Sequence, residues 1–236
     1  MAFWADIATP HQPAYQRWHN NEHIPERLSI PGFVRGRRYR SVREDSRFLM
    51  YYDTTSLDVL TSAAYLARLN APTPRTRAAL RWFSNGNRSA YHLVDALGAP
   101  ERAAPPVIAV ATFASPTGAA TASEEIRQLR RASMQRLAAS SGLERVLEYR
   151  LDDAGSTVST GEASVHHAAP SAVSGLLVLH SQDLALLDAA SAWQALDSAA
   201  AQWASLNALE TPPRMDVYSL EFALQNDPTL HLQGRS

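Results

Sequence analysis

Gly98-Ala99-Pro100-Glu101-Arg102-Ala103-Ala104-Pro105-Pro106-Val107-Ile108-Ala109-Val110 divides the chain into two stretches that can be laid beside each other. Its first nine residues are small, polar or proline, a composition that breaks regular structure, and Val107–Val110 then opens a run of β-formers. Working outward, the same order of elements appears on both sides. Before the break the pattern predicts a strand at Ala2–Ala8, a helix at Pro13–Leu28, strands at Phe33–Val42 and Arg47–Asp53, a helix at Ser56–Leu69 and a strand at Ser89–Ala96. After it come a strand at Val107–Ala114, a helix at Ser123–Ser140, strands at Glu144–Leu151 and Gly175–His180, a helix at Asp183–Leu206 and a strand at Met215–Ala223. Both halves read βαββαβ.

Spacing carries the helix assignments. Ile126, Leu129, Ser133 and Leu137 recur at three and four, as do Leu57, Leu60, Ala64 and Leu66, so each helix is expected to bury one stripe on a sheet. Ser123 and Ser56 stand where N-terminal caps belong. A βαββαβ unit places both helices on one face of an antiparallel sheet and leaves the other face to be covered. The fold class expected is therefore α+β: two tandem ferredoxin-like repeats packed sheet to sheet as a pseudo-dimeric α/β barrel. Residues 1–104 form the first repeat, 105–225 the second and 226–236 a tail, with the face enclosed between the sheets as a natural cavity. The polar stretch Asp152–Ala172 is positioned to cover a cavity mouth.

The 236 residues, 45% hydrophobic and 19% charged, have the composition of an ordinary globular protein. All 22 basic residues are Arg, and Cys is absent as well. These absences exclude a lysine Schiff base, a P-loop lysine, a thiolate nucleophile, a disulfide and Cys-ligated metal. What remains is acid–base and electrostatic chemistry from His, carboxylates, Tyr and Arg. Residues 1–118 hold 14 Arg against 9 acids (+5) and residues 119–236 hold 8 against 14 (−6). The basic excess is too diffuse for a nucleic-acid surface and suits pairing of the halves instead. The N-terminus lacks the marks of a targeting segment and no window spans a bilayer, so the expectation is a cytoplasmic protein without nucleic-acid or membrane partners.

Polar side chains concentrate in Tyr15-Gln16-Arg17-Trp18-His19-Asn20-Asn21-Glu22-His23-Ile24-Pro25-Glu26-Arg27-Leu28. Trp18 and Glu22, and likewise His19 and His23, lie four apart and share a helical edge. Pro25 cannot donate its N–H and disturbs the helix where His23 sits. Three readings of His23 compete: a general acid/base oriented by Glu22 or Glu26, a metal ligand, and a structural helix-end histidine. His19-Asn20-Asn21-Glu22-His23 matches the H-x-x-E-H zinc pattern, although no third ligand is identifiable. On the strand that follows, alternation sets Arg35, Arg37 and Tyr39 on one face and Arg38 and Arg40 on the other. Either an arginine and a phenol stabilise an oxyanion in the cavity, or these are solvated arginines of an edge strand. Tyr51 and Tyr52 also point to opposite faces, so one of the two is expected to reach a cavity. His166-His167 reads as a solvated pair, and Trp193 and Trp203 as helix packing.

The run Trp18–Pro25, then Ile30-Pro31-Gly32-Phe33 and Arg37-Arg38-Tyr39, with Tyr65–Asn70 and Pro72-Thr73-Pro74 later, resembles the EthD-like branch of the dimeric α/β-barrel superfamily. The resemblance covers most of residues 1–95. It implies a ferredoxin-like barrel whose relatives include cofactor-free monooxygenases, lactone isomerases, polyketide cyclases, dehydratases and haem enzymes, and a site centred on His23 and Glu22. The second half has no E-H-I-P or P-G-F counterpart, since Met134–Leu143 reads MQRLAASSGL. It is expected to be a degenerate scaffold.

The function expected is proton transfer, without a cofactor or metal, on a hydrophobic or aromatic oxygenated small molecule: isomerisation, dehydration, cyclisation or related lyase chemistry. His23 would be the acid/base, with Glu22 and His19 tuning it and Arg38 or Arg37 with Tyr39 holding an oxyanion. The alternatives are a non-catalytic small-molecule-binding or accessory protein, and a haem- or metal-dependent oxidase or monooxygenase. Two internal repeats satisfy barrel pairing as a monomer, and a homodimer through the outer surface is compatible with that.

Overall fold

The computed structural model describes residues 1–101, 103–113, 124–141, 143–152, 156, 162, 173–182 and 214–226. Eight strands form a closed antiparallel barrel in the order β1-β3-β2-β8-β5-β7-β6-β4. They are β1 (Ala2–Ile7), β2 (Phe33–Ser41), β3 (Arg47–Thr54), β4 (Phe83–Gly98), β5 (Val107–Phe113), β6 (Arg145–Asp152), β7 (Gly175–Ser181) and β8 (Arg214–Gln225). The first four lie in the order β4-β1-β3-β2 and the last four in the order β8-β5-β7-β6. Two seams close the ring. Residues 90–98 of the sixteen-residue β4 pair with β6, and β2 pairs with the C-terminal part of β8. Closure leaves no free strand edge, so the arginines of β2 do not lie on an edge strand.

Alternation along the strands sorts the apolar side chains into layers. Trp4, Tyr39, Leu49, Tyr51, Ile108, Val110, Leu147, Val178 and Tyr218 fill the barrel. On the outer face of the first strands, Ala5, Ile7, Phe48, Met50 and Tyr52 meet Tyr15, Trp18, Ile24, Tyr65 and Leu80 from the helices. On the far side Val107, Ala109, Val146 and Leu179 meet Met134 and Leu143. The sheet is thus covered on both faces along β2, where Gly36, Arg37, Arg38 and Tyr39 are buried in succession.

The helical stretch expected at Pro13–Leu28 is continuous but not uniform. It runs as α1 (Gln12–Trp18), a π-helical segment (His19–His23) and α2 (Ile24–Leu28). The amide of Ile24 reaches back five residues to the His19 carbonyl, next to the proline that has no amide to offer.

Other elements depart from expectation. Ser56–Leu69 is not one helix: a 3₁₀ segment at Leu57–Thr61 ends at Ser62, whose hydroxyl accepts from the Tyr65 amide and starts α3 (Ala63–Asn70). This resets the helical phase, so Tyr65 and Leu69 are buried in place of Ala64 and Leu66. Thr73-Pro74 then opens α4 (Pro74–Leu80), which the sequence reading omitted despite a capping Thr followed by Pro at the first helical position. In α5 (Glu124–Ser141) Leu129 is 48% exposed while Ser133 and Met134 are buried, so the buried stripe lies beside the expected one. Asn226, the first residue of the expected tail, is tied to the barrel, because its side-chain amide donates to the Leu28 and Phe33 carbonyls at 2.8 Å each. The helix expected at Asp183–Leu206, with Trp193 and Trp203, lies outside the described residues, as do the Ser123 cap and His166-His167. No helix among the described residues is long and apolar enough to cross a membrane.

Candidate functional site

Two cavities lie on opposite faces of β2 and β3, and the residues singled out from the sequence divide between them. The outer cavity, about 60 Å³, sits between the sheet and the helices. Its walls include Phe3, Trp18, His19, His23, Arg27, Tyr52, Tyr65, Phe83, Arg88 and Glu162. The inner cavity, about 340 Å³, lies inside the barrel and is lined by Arg35, Arg37, Tyr51, Asp53, Tyr91, Glu101, Arg145 and Tyr149 among others. Tyr51 lines the inner cavity, whereas Tyr52 lines the outer cavity and also contributes to the wall of the inner one.

In the outer cavity the π segment brings the two imidazoles together. The His19 and His23 rings stack with centroids 5.4 Å apart, and Trp18 packs on His23 at 4.5 Å. His19 is buried and engaged at both nitrogens: Nδ1 lies 3.2 Å from Arg38 Nη1 and Nε2 lies 3.2 Å from Tyr52 Oη. Burial first, then the positive charges of Arg38 and Arg27, holds its pKa well below the ordinary histidine value, so the ring is neutral.

Arg38 does not line the cavity. Its guanidinium is held by Glu221 (Nε–Oε2, 2.8 Å) and by Asn20 Oδ1 (2.7 Å), and it reaches the cavity only through His19. Glu221 stands on β8 and also pairs with Arg40 at 2.6 Å, so the far end of the chain fixes this arginine. This pair and Arg27–Glu162 (2.5 Å) join basic residues of the first half to acids of the second, the pairing that the charge asymmetry suggested.

Glu22 turns away from His23. Its carboxylate accepts from Thr73 Oγ1 at 2.5 Å and Thr76 Oγ1 at 3.4 Å, and Arg75 Nε lies 3.5 Å from it. The carboxylate therefore ties the π segment to the start of α4. With Glu22 turned away and both His19 nitrogens occupied, the H-x-x-E-H run has no zinc-binding geometry. Among the described residues no group of three or more His, Asp or Glu could hold a metal ion. A cavity of about 60 Å³ is also far below the roughly 300–1,000 Å³ of pockets for drug-sized ligands, so a haem macrocycle does not fit it as it stands.

Tyr39 and Arg37 belong to the barrel interior. Tyr39 Oη donates to the Pro105 carbonyl at 3.2 Å. Arg37 pairs with Asp53 at 2.5 Å and Glu101 at 2.9 Å, and its guanidinium lies 4.3 Å from the Tyr51 ring centroid. Glu101, from the segment that joins the halves, also meets Arg35, and His180 Nδ1 lies 3.0 Å from it. Burial alone would raise the Glu101 pKa, but His180, Arg37 and Arg35 outweigh it and hold the carboxyl at about 2. Of the oxyanion group expected from Arg38 or Arg37 with Tyr39, Arg37 and Tyr39 are neighbours in the barrel interior, away from the imidazoles, and Arg38 lies on the opposite face beside His19.

The cations of the outer cavity are Arg27 and Arg88, which the sequence reading did not single out. Arg27 could have been found, since it lies four residues beyond His23 on the same helical edge. Arg88, Glu162 and Glu221 carried no local signal. Glu162 comes from the stretch expected to cover a cavity mouth; its amide bonds the Leu69 carbonyl and its carboxylate meets Arg27.

No family model matches the chain, and no curated protein matches its sequence. Among solved structures the chain is similar to an anthrone oxidase-like protein, with a TM-score of 0.62 and 10% identity over 95% of this chain and 92% of that one. It is also similar to a proposed monooxygenase from Fusobacterium nucleatum subsp. nucleatum, with a TM-score of 0.51 and 5% identity over 95% and 93% of the two chains. These neighbours are proteins of the dimeric α/β-barrel superfamily, and the closed eight-stranded barrel is compatible with that architecture. At such identities the likeness concerns the fold.

Proposed function

We propose that the chain is a cofactor-independent enzyme that moves a proton on a small aromatic, oxygenated molecule bound in the outer cavity, with His23 as the acid/base. The observation that carries this reading is the stacked imidazole pair on an aromatic-walled cavity. His19 is locked neutral by its two contacts, which leaves His23 as the ring that exchanges a proton with a ligand. Arg27 and Arg88 stand on the same wall, Arg27 offset by its Glu162 partner, and their guanidinium donors would stabilise a developing enolate. Glu22 and Arg38 are positioning residues: one holds the π segment, the other orients His19. Tyr39 and Arg37 keep the barrel interior in place. The two strand orders, β4-β1-β3-β2 and β8-β5-β7-β6, support an internal duplication with residues 1–104 and 105–225 as its units, and with the EthD-like motifs confined to the first. On that reading the barrel closes within one chain.

The aromatic walls favour a flat ring substrate, and 1-tetralone is a suitable probe because its α-hydrogens are acidified by the ketone. Proton NMR in D₂O should show that the protein accelerates α-deuteration and that His23→Ala removes the acceleration. No acceleration by the wild-type protein would overturn the acid–base reading and favour a binding protein. The names of the similar structures favour a second reading, oxidation of an aromatic substrate. Oxygen uptake with anthrone, absent from the His23→Ala variant, would support it.

A further inference from the structure

The hydrogen bonds that end at Tyr52 run in one direction. A guanidinium only donates, so the contact of Arg38 Nη1 makes His19 Nδ1 an acceptor. The neutral ring then carries its proton on Nε2, which donates to Tyr52 Oη. The hydroxyl hydrogen of Tyr52 cannot point back along that bond, and among the described residues this hydroxyl has no other hydrogen-bond partner. Its residue lines the outer cavity, beside His19 and His23, and also contributes to the wall of the inner one.

Tyr52 is also held in position. A Cβ at Gly36, its cross-strand neighbour on β2, would come within 2.9 Å of Tyr52 Cε1 and 3.0 Å of Ile24 Cγ2. Only glycine leaves the ring this place between β2 and α2. Burial pushes the Tyr52 phenol well above its ordinary value, more than the nearby Arg27 charge pulls it back, so it stays protonated.

From this geometry we infer that Tyr52 Oη is the donor that seats an acceptor oxygen, a ketone or quinone carbonyl, of an aromatic ligand in the outer cavity, with its direction imposed by Arg38 through His19. The inference rests on the outer cavity being the ligand site proposed above, and it adds the ligand class. The site takes carbonyl-bearing rings and discriminates against the matching hydrocarbon, because a bound ring without an acceptor leaves a buried O–H unpaired.

Two measurements test it. Calorimetric titration with 1-tetralone and with tetralin, the same bicycle without the oxygen, should show a preference for the ketone of roughly tenfold, lost in Tyr52→Phe. Equal binding of both by the wild type would overturn the Tyr52 assignment and leave the cavity as a ligand site, whereas binding of neither would overturn both. The second measurement needs no ligand. Nitrogen-15 NMR of histidine-labelled protein should show His19 protonated at Nε2 across neutral pH, and protonation at Nδ1 would overturn the inference. A ketone preference without accelerated α-deuteration would sustain the Tyr52 role and remove the catalytic reading alone.

Discussion

Arg37 and Arg38, adjacent on β2, and Tyr51 and Tyr52, adjacent on β3, face opposite sides of one sheet and do different work. On the inner side most charges meet opposite ones: Arg37 lies between Asp53 and Glu101, and Glu101 also gathers Arg35 and His180. Two of the phenols there also meet, Tyr51 donating to Tyr149. On the outer side the polar groups form a chain, Glu221 to Arg38 to His19 to Tyr52, whose last hydrogen is not taken up. A network closed on itself stabilises the barrel, and one that ends at a cavity is available to a ligand. Charged residues alone do not mark a site, since in the larger and more highly charged of these two cavities most of the charges already face opposite ones.

The contrast can be broken experimentally, most severely from the inner side. Arg37→Ala removes a buried side chain, leaves half-buried Asp53 without its partner and takes one of three cationic neighbours from Glu101, and should cost about 2 kcal/mol of stability in chemical denaturation. A loss of ketone binding in folded protein, without that loss of stability, would assign the inner cavity a ligand role. His23→Ala should do the reverse: α-deuteration of 1-tetralone falls about a hundredfold while stability changes by less than about 1 kcal/mol.

A pH titration of stability sharpens the contrast further. His19 binds no proton in the folded protein at pH values where the unfolded chain does, so folding loses about 1.4 kcal/mol per unit as pH falls below about 6.5. That slope should flatten in His19→Gln. Glu101 is shifted in the same direction, below its ordinary value, but in a more acidic window: its contribution is complete above about 4.5 and is lost as pH falls toward 2. Denaturation midpoints across this range should therefore show an outer-side step near neutrality and an inner-side step in acid. The smallest expected effect is that of Glu22→Gln, which weakens the Thr73 contact by about 1 kcal/mol and leaves α-deuteration within about twofold of wild type. A loss as large as that of His23→Ala would return Glu22 to the reacting centre.

The expected strands were found because each rests on local alternation and β-formers, and Pro25 marked the irregular helix because a missing amide is a local fact. Ser62 and Thr73 show where legibility stopped within the helices. A single capping hydroxyl shifts the phase of everything after it, so a stripe read from Leu57 onward points the wrong way by Tyr65. Leu129 and Met134 show the same in α5, where spacing identified a helix but not which of two adjacent stripes meets the sheet.

For the site, His19 and His23 were legible as a pair because i and i+4 share a helical edge. Their partners were not. Glu221 reaches Arg38 across 183 positions of sequence and Glu162 reaches Arg27 across 135, and no local pattern encodes such meetings. The sequence by itself determined the acid–base inventory, the order of the strands and the odd–even division of Arg37 from Arg38 and Tyr51 from Tyr52. All of these follow from covalent composition and backbone period. Only the tertiary structure decided which side of the sheet carries the imidazoles, which arginines are neutralised and which phenol has a hydrogen left to give. Those properties depend on what covers each face of a closed barrel, and closure is a relation among all eight strands at once.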